Sequence, residues 1–383
     1  MRFTLGVLQA EHTRLWQLRL NGGTPHPLKI AGNFQHPCCG SWNRDGDFFF
    51  QAWGTHRNTI NIYLLLRHGD QAQELISGPF DFYAPSPVGR RRVLSIGLNM
   101  EPELMRWNPE RRIFRPFLSG KDAEWVTFTP GGRHIAYVQD KAHQNLLTVW
   151  LARRDGSHAR QITYPPWQAE GLAWSPNGRR LLIRQRYDLG PWQIYLYHRN
   201  DGRLQWLQTM PNPGIPSWSP DGQEIVFGDI PDARGQFPAR NGIHVYNLQT
   251  HSQILLPGSA GLWTARWSPN DRWIAALRDH SQTLELYTLH ARQWRRTTVR
   301  QVGNPIWSKR GNHIFFNTLG AKLAFYRFAP ANNQLQKITS LKSFGWLMDG
   351  WSGLTSDNRP LVTKMYGLNA IYLLRWQLDR RTW

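Results

Sequence analysis

Only two cysteines occur in 383 residues, and they are adjacent, Cys38 and Cys39. Neighbours cannot staple distant parts of a chain, and a vicinal disulfide is strained because disulfide geometry is specific. Two free thiols are expected, and no zinc-ligand spacing is present. Carboxylates are also scarce: 26 Asp and Glu stand against 46 Lys and Arg, a formal net charge of +20. No apolar run approaches the ~18 residues of a membrane span. The opening MRFTLGVLQAEHTRLWQLRL turns charged and polar at once, which does not suit a signal peptide. Catalytic motifs are missing too: there is no G-x-S-x-G, H-E-x-x-H, P-loop or G-x-G-x-x-G. Gly258-Ser259-Ala260-Gly261 is only a loop of small residues. The 14 His lack ligand spacing, and His134 reads as a solvated strand residue. No catalytic residue, metal site or cofactor is expected.

What the chain does have is Trp (20), Gly (33) and Pro (25), which favours many short strands joined by tight turns. One phrase organises it: Trp218-Ser219-Pro220-Asp221-Gly222, followed by Ile225-Val226-Phe227. A Trp ends one strand and Pro-Asp-Gly turns the chain. Asp can bond its own backbone there, and Gly accepts positive φ. The phrase recurs at anchors Trp42, Pro85, Phe128, Trp174, Trp218, Trp267, Trp307 and Leu354, with spacings of 43, 43, 46, 44, 49, 40 and 47. Pro85 and Leu354 are degenerate. A third strand follows each hairpin, as in 192–197, 242–248, 283–289 and 322–328. A short fourth follows at 159–163, 252–256 and 334–339. Four short strands per ~45 residues is the period of a propeller blade. The expectation is an all-β chain forming one β-propeller domain over 1–383, with eight blades and seven as the runner-up. Strand-like pieces at 2–7, 14–20 and 26–30 precede the first anchor. They are expected to complete the last blade together with 350–383. The longest spacing holds a loop insertion, Pro231–Asn241.

The W-S-P-[DN]-G phrase resembles the TolB-type β-propeller repeat, a relative of the WD-type repeat, over nearly the whole chain. Pro37-Cys38-Cys39-Gly40-Ser41-Trp42 with FFFQA, FLSGKDAEWVTFTPGG and ITYPPWQAEGLAWSPNG look like the C-terminal half of large bacterial regulators. In those, a winged-helix DNA-binding domain, or in others a kinase, precedes the propeller, sometimes with a membrane span between. This chain has none of these, so it looks like the propeller portion alone, truncated or free-standing. DNA binding belongs to the absent domain and is not expected of this chain itself. The resemblance implies a sensory or protein-interaction module of a signalling or transcription-regulating system. An extracytoplasmic place follows if it belongs to a spanning regulator, a cytoplasmic one otherwise.

Four residues ahead of successive anchors stand Asp81, Glu124 and Glu170, where each chain segment enters its innermost strand. Trp263 holds the same offset in a later repeat, and Cys38, Gly214, Gly303 and Gly350 hold the rest. The carboxylates would gather at the mouth of a central channel and favour a cation or basic peptide, with Trp263 free to stack on it. Alternatively they bond backbone amides or pair with the abundant Arg. The favoured partner is therefore a protein or small ligand at the channel mouth. A channel-mouth lyase or hydrolase with a bound metal competes. So does a polyanion-binding surface, which needs the 38 Arg (against 8 Lys) to segregate rather than scatter. Arg90-Arg91-Arg92 is the one dense run. Trp16, Trp53, Trp167, Trp206, Trp346 and Trp351 lie outside the anchor register and are candidates for an aromatic rim.

Overall fold

The computed structural model describes residues 2–5, 14–18, 23–54, 59–77, 80–89, 91–140, 147–188, 190–209, 212–230, 242–278, 281–319, 322–344 and 351–375. Among these, every regular element is a β-strand except one short 3-10 turn, Lys342–Phe344. The all-β propeller expectation holds. The 231–241 insertion, Arg90, Trp346 and Gly350 lie outside the described residues.

The repeated phrase forms the hairpin its chemistry dictates, with one contributor that the sequence pattern underrated. The residue after the anchor is Ser or Thr in seven of the eight repeats; Ser86 is exposed, and Thr129, Ser175, Ser219, Ser268, Ser308 and Thr355 are buried. Ser219 Oγ accepts from the Glu224 amide at 2.9 Å and donates to Asp221 Oδ1, while Ser219 and Glu224 also exchange a backbone bond. Ser175, Ser268 and Ser308 accept from Arg180, Trp273 and His313 in the same way. The hydroxyl thus caps the turn from inside. The turn's last position has φ of +67° to +70° at Gly132, Gly178, Gly222 and Gly311, and Asp271 and Asn358 occupy it in the other two repeats. Asp and Asn are the residues besides Gly that reach this region routinely.

By their contacts the described residues fall into two compact units. The smaller takes those of 1–101 and 366–375. It contains the sheet Phe34–Trp42, Phe48–Gly54, Ile60–Leu65 and Ala72–Ile76, and a three-stranded sheet of Arg2–Leu5, Arg14–Gln17 and His26–Pro27. Asp81–Pro87 pairs with the front of Arg92–Asn108. Its core is aromatic, built on Phe48, Phe50 and Tyr63. Both cysteines lie here and both are free thiols. Burial pushes the Cys38 thiol up to about 12.

The larger unit, 102–232 and 236–365, holds five complete four-stranded sheets, anchored at Phe128, Trp174, Trp218, Trp267 and Trp307. A sixth is assembled from distant sequence: within the larger unit it comprises Ser352–Leu354, 360–365, 102–108 and Ile113–Pro116, in that order. In the larger unit the last anchor's strands are joined by 102–108 and Ile113–Pro116, while the described strands of 1–30 form the three-stranded sheet of the smaller unit.

Alternation on each second strand explains why the six sheets stack. Leu181 and Ile183 face the Phe128 sheet, and Leu182 faces the Trp218 sheet. Ile225 and Phe227 face back, and Val226 faces on. Ile274 and Ala276 alternate with Ala275 and Leu277, Ile314 and Phe316 with Phe315, and Val362 with Leu361. The sixth cluster joins Leu104, Trp351 and Leu361 to Ile135 and Tyr137 of the Phe128 sheet. Six sheets thus share six interfaces, and the larger unit closes on itself. A single ring of eight blades was the sequence expectation; the described ring has six, with the Trp42 sheet in the other unit. Each large buried side chain contributes about 1.5–3 kcal/mol. Trp174, Trp218, Trp267 and Trp307 are 7–8% exposed, whereas Trp42 is 41% exposed. The anchors also lock neighbours: Trp218 Nε1 donates to Ala173 O and Trp307 Nε1 to Arg266 O, both at 2.9 Å.

Ser219→Ala removes the buried acceptor of the Glu224 amide and should cost about 1–3 kcal/mol in urea unfolding. A loss within error of zero would show that the hydroxyl is dispensable to the turn.

Candidate binding site at the hub of the larger unit

The six innermost strands of the larger unit end around one cavity of about 490 Å³. Each sheet presents one indole to it: Trp125, Trp174, Trp218, Trp267, Trp307 and Trp351. Prolines of the repeated turns, Pro130, Pro176, Pro220 and Pro269, form the rim. Two of the charged side chains the sequence supplies line this wall, Arg266 and Lys309, and no carboxylate does so among the described residues.

Arg266 is the centre of the site. Its Nη1 donates to Ile215 O (3.2 Å) and Ala265 O (2.9 Å), and its Nη2 to Asn304 Oδ1 (3.0 Å). Asn304 in turn donates its side-chain amide to Ser352 O at 2.7 Å and its backbone N–H to Asn317 Oδ1 at 3.2 Å, an oxygen that also accepts from Ser352 Oγ. One guanidinium and one amide therefore tie four neighbouring sheets together. A guanidinium has five N–H donors. Nε–H and one N–H of Nη2 have no acceptor among the described residues. Burial lowers this guanidinium to about 10, so it remains a cation at neutral pH. The arrangement can hold an anion against an apolar wall. It cannot relay a proton at neutral pH, because that needs a group titrating near the working pH.

The expected site residues are placed differently. Asp81 belongs to the smaller unit, where its Oδ1 accepts from the Ile60 amide at 2.8 Å. Glu170 accepts from Arg184 Nη1 at 2.7 Å. Burial lowers the Arg184 guanidinium and Glu170 works against that fall. Arg184 also lies 4.1 Å over the Trp192 ring. These are the backbone and Arg pairings that the alternative reading of the carboxylates describes. Glu124 faces Val138 in its hairpin, and Trp263 packs against the core between the Trp267 and Trp307 sheets. None of the four lines the cavity. In the larger unit a bulge separates each of the other three from its anchor. Register shifts fall between Glu124 and Thr127, Ala169 and Leu172, and Trp263 and Arg266. Trp125, Gly171 and Thr264 inside them take φ of +50°, +81° and +54°. A bulge re-aims the side chains after it, so an offset counted along a regular strand points the wrong way. Arg266 carried a sequence signal all the same. The residues just before the anchors are Thr127, Ala173, Ser217, Arg266, Ile306 and Gly353, and one of the six is charged.

Outside the anchor register, Trp351 is buried and Trp206 is 48% exposed. No group of three or more His, Cys, Asp and Glu among the described residues is placed to hold a metal ion. No helix among them is long and apolar enough to cross a membrane.

A carboxylate such as acetate, held at constant ionic strength against chloride, should stabilise the native chain by about 1–3 kcal/mol near saturation. Arg266→Gln should abolish that gain in calorimetry. An equal gain in the variant would remove Arg266 from the site.

No protein-family model matches the chain. Over 154 residues, 38% of its length, it is 25% identical to the Tol-Pal system protein TolB of Alcanivorax borkumensis, and the match covers 34% of that protein. Over 112 residues, 29% of its length, it is 28% identical to the Tol-Pal system protein TolB of Anaeromyxobacter dehalogenans, covering 25% of that one. The matches thus span about a third and a quarter of those relatives. A solved structure assigned as TolB from Agrobacterium tumefaciens aligns with a TM-score of 0.55 at 14% identity, over 70% of this chain and 99% of that one. At such identity the structural likeness speaks to the fold. Repeat phrase, sheet arrangement and these likenesses agree on a TolB-like β-propeller.

Proposed function

We propose that the chain is a non-catalytic binding module whose ligand is a protein, engaged at the hub of the larger unit. The observation that carries this reading is the half-buried Arg266 guanidinium, with uncommitted donors, among six convergent indoles. Aromatic rings and Arg are the side chains that dominate binding energy at protein interfaces. A ring of short sheets offers them on a rigid frame, so little conformational freedom is lost on association. The charged wall is a cation that keeps its proton at neutral pH, which suits holding rather than acid–base chemistry. The names of the curated relatives place those proteins in a Tol-Pal system; for this chain that extends the proposal to an interaction role in a bacterial multi-protein system of that kind or in a regulatory assembly. The likeness to the propeller regions of winged-helix regulators suggests the same kind of role, with this chain as the sensing or scaffolding part.

The test is site-specific photocross-linking in the cells that make the protein. A photoreactive side chain at Pro269, on the cavity rim, should yield a discrete protein adduct. The same group at Ser281, in the hairpin turn at the opposite end of its strands, should not. Equal labelling at both positions, or none at Pro269, would count against the reading.

A further inference from the structure

The larger unit carries a second concavity, a groove of about 1090 Å³ between the outer strands of the Trp307 sheet and residues 107–112 of the neighbouring sheet. Lys309 and Asn358 line both it and the hub cavity. Its charge is one-sided: Arg112, Lys309, Arg310, Arg327, Lys337 and Arg359 line it, with Asp357 the single carboxylate. That carboxylate is committed twice, to Arg359 Nε at 2.8 Å and to Arg154 Nη2 at 3.2 Å. Arg112, Lys309, Arg310 and Lys337 are exposed and have no carboxylate partner among the described residues. Clustered like charges in a concave wall raise the local concentration of counter-charged ligands.

One wall of the groove is a sheet edge. Gln334–Ser340 is the outermost strand of the Trp307 sheet, and its outer side pairs with no strand among the described residues. It has seven residues, whereas the outermost strands of the other five sheets in the larger unit have two to four. The strand is mostly exposed, Leu335 at 47%. A strand edge offers alternating N–H and C=O groups, which an extended peptide can match by adding as a further strand. A sugar–phosphate backbone presents acceptors without the repeating N–H donors, and so matches the cations but not the edge.

We propose that this groove binds an extended acidic segment of a partner protein, which pairs along Gln334–Ser340 and sets its Asp and Glu side chains against Arg112, Arg310 and Lys337. The assignment rests on the reading of the chain as a protein-interaction module and names the chemistry of the partner. Asn312 and Gln336 add neutral hydrogen-bonding groups along the same wall, and Leu335 offers an apolar contact beside the charges. Sharing Lys309 with the hub allows one ligand to run from the groove toward Arg266.

The experiment uses the full chain and a fluorescein-labelled peptide of alternating Glu and Val, read by fluorescence anisotropy. The peptide should bind, with affinity falling as salt rises. Lys337→Glu and Arg310→Glu, both at exposed side chains that make no hydrogen bond or ion pair among the described residues, should each weaken binding about tenfold. A peptide N-methylated at alternate residues should lose binding while keeping its charge. The same peptide with Gln for Glu should also fail. Unchanged affinity in both charge-reversed variants would overturn the proposal, as would equal binding of the Gln peptide. Tighter binding of a single-stranded oligonucleotide, weakened by the same two reversals, would replace the peptide with a nucleic acid and overturn it as well. Absence of peptide binding together with a Pro269 cross-link would overturn the groove alone and leave the interaction module standing.

Discussion

A β-sheet with apolar side chains on both faces cannot stand in water by itself, and the larger unit is the solution to that constraint. Leu182 between Leu181 and Ile183, or Val226 between Ile225 and Phe227, obliges each sheet to have a neighbour on either side. A row of such sheets would leave two raw faces. Closing the row removes both, and burial of apolar area supplies the driving force. The closure is made by strands from opposite parts of the sequence, 102–116 and 352–365, rather than by a repeat that is continuous in the chain. Joining non-local strands carries a loop-closure cost, which six apolar interfaces offset.

Closure also creates the hub. Once six inner strands are brought round to one place, the residues at their ends converge whether or not they interact. Here they do. Arg266 donates to a carbonyl of the preceding sheet and to the side chain of the following one, and Asn304 reaches on to Ser352. The site is thus built from the same backbone geometry that closes the unit, and its rigidity is inherited from the core. A half-buried guanidinium with two uncommitted N–H groups bonds most strongly to an ionised acceptor. That is the physical reason to look for an anionic partner at this face rather than the cation favoured by Asp81, Glu124 and Glu170.

Much of the fold was legible because the repeated phrase is chemistry and not only pattern. The Asp and Gly turn, the large ring ahead of it and the alternating strand after it are each required locally, so their recurrence announces the blades. The hydroxyl after the anchor was equally visible at Ser175, Ser219, Ser268 and Ser308, and its role follows from the bonds it makes. The candidate site was less legible for two reasons. Bulges at Trp125, Gly171 and Thr264 break the period of two on which the offset to Glu124, Glu170 and Trp263 depended. The joining of 102–116 to the last anchor's strands is non-local, and no feature within either segment reports it. Arg266 stood out only by comparison with its five equivalents, a signal that requires the repeats to be aligned at the anchor and not at the strand start.

Closure of the ring is the claim on which the hub depends, and one pair reports it directly. Trp125 and Trp351 lie 226 positions apart in sequence, and their rings sit 6.1 Å apart in the first and last sheets of the larger unit. A double-mutant cycle, with each Trp changed to Leu and stability read from urea unfolding, measures whether they touch. Ring closure predicts a coupling of about 0.5–1.5 kcal/mol, the range for aromatic pairs in contact. Strict additivity of the two substitutions would mean that the first and last sheets do not meet, and would contradict the closed ring.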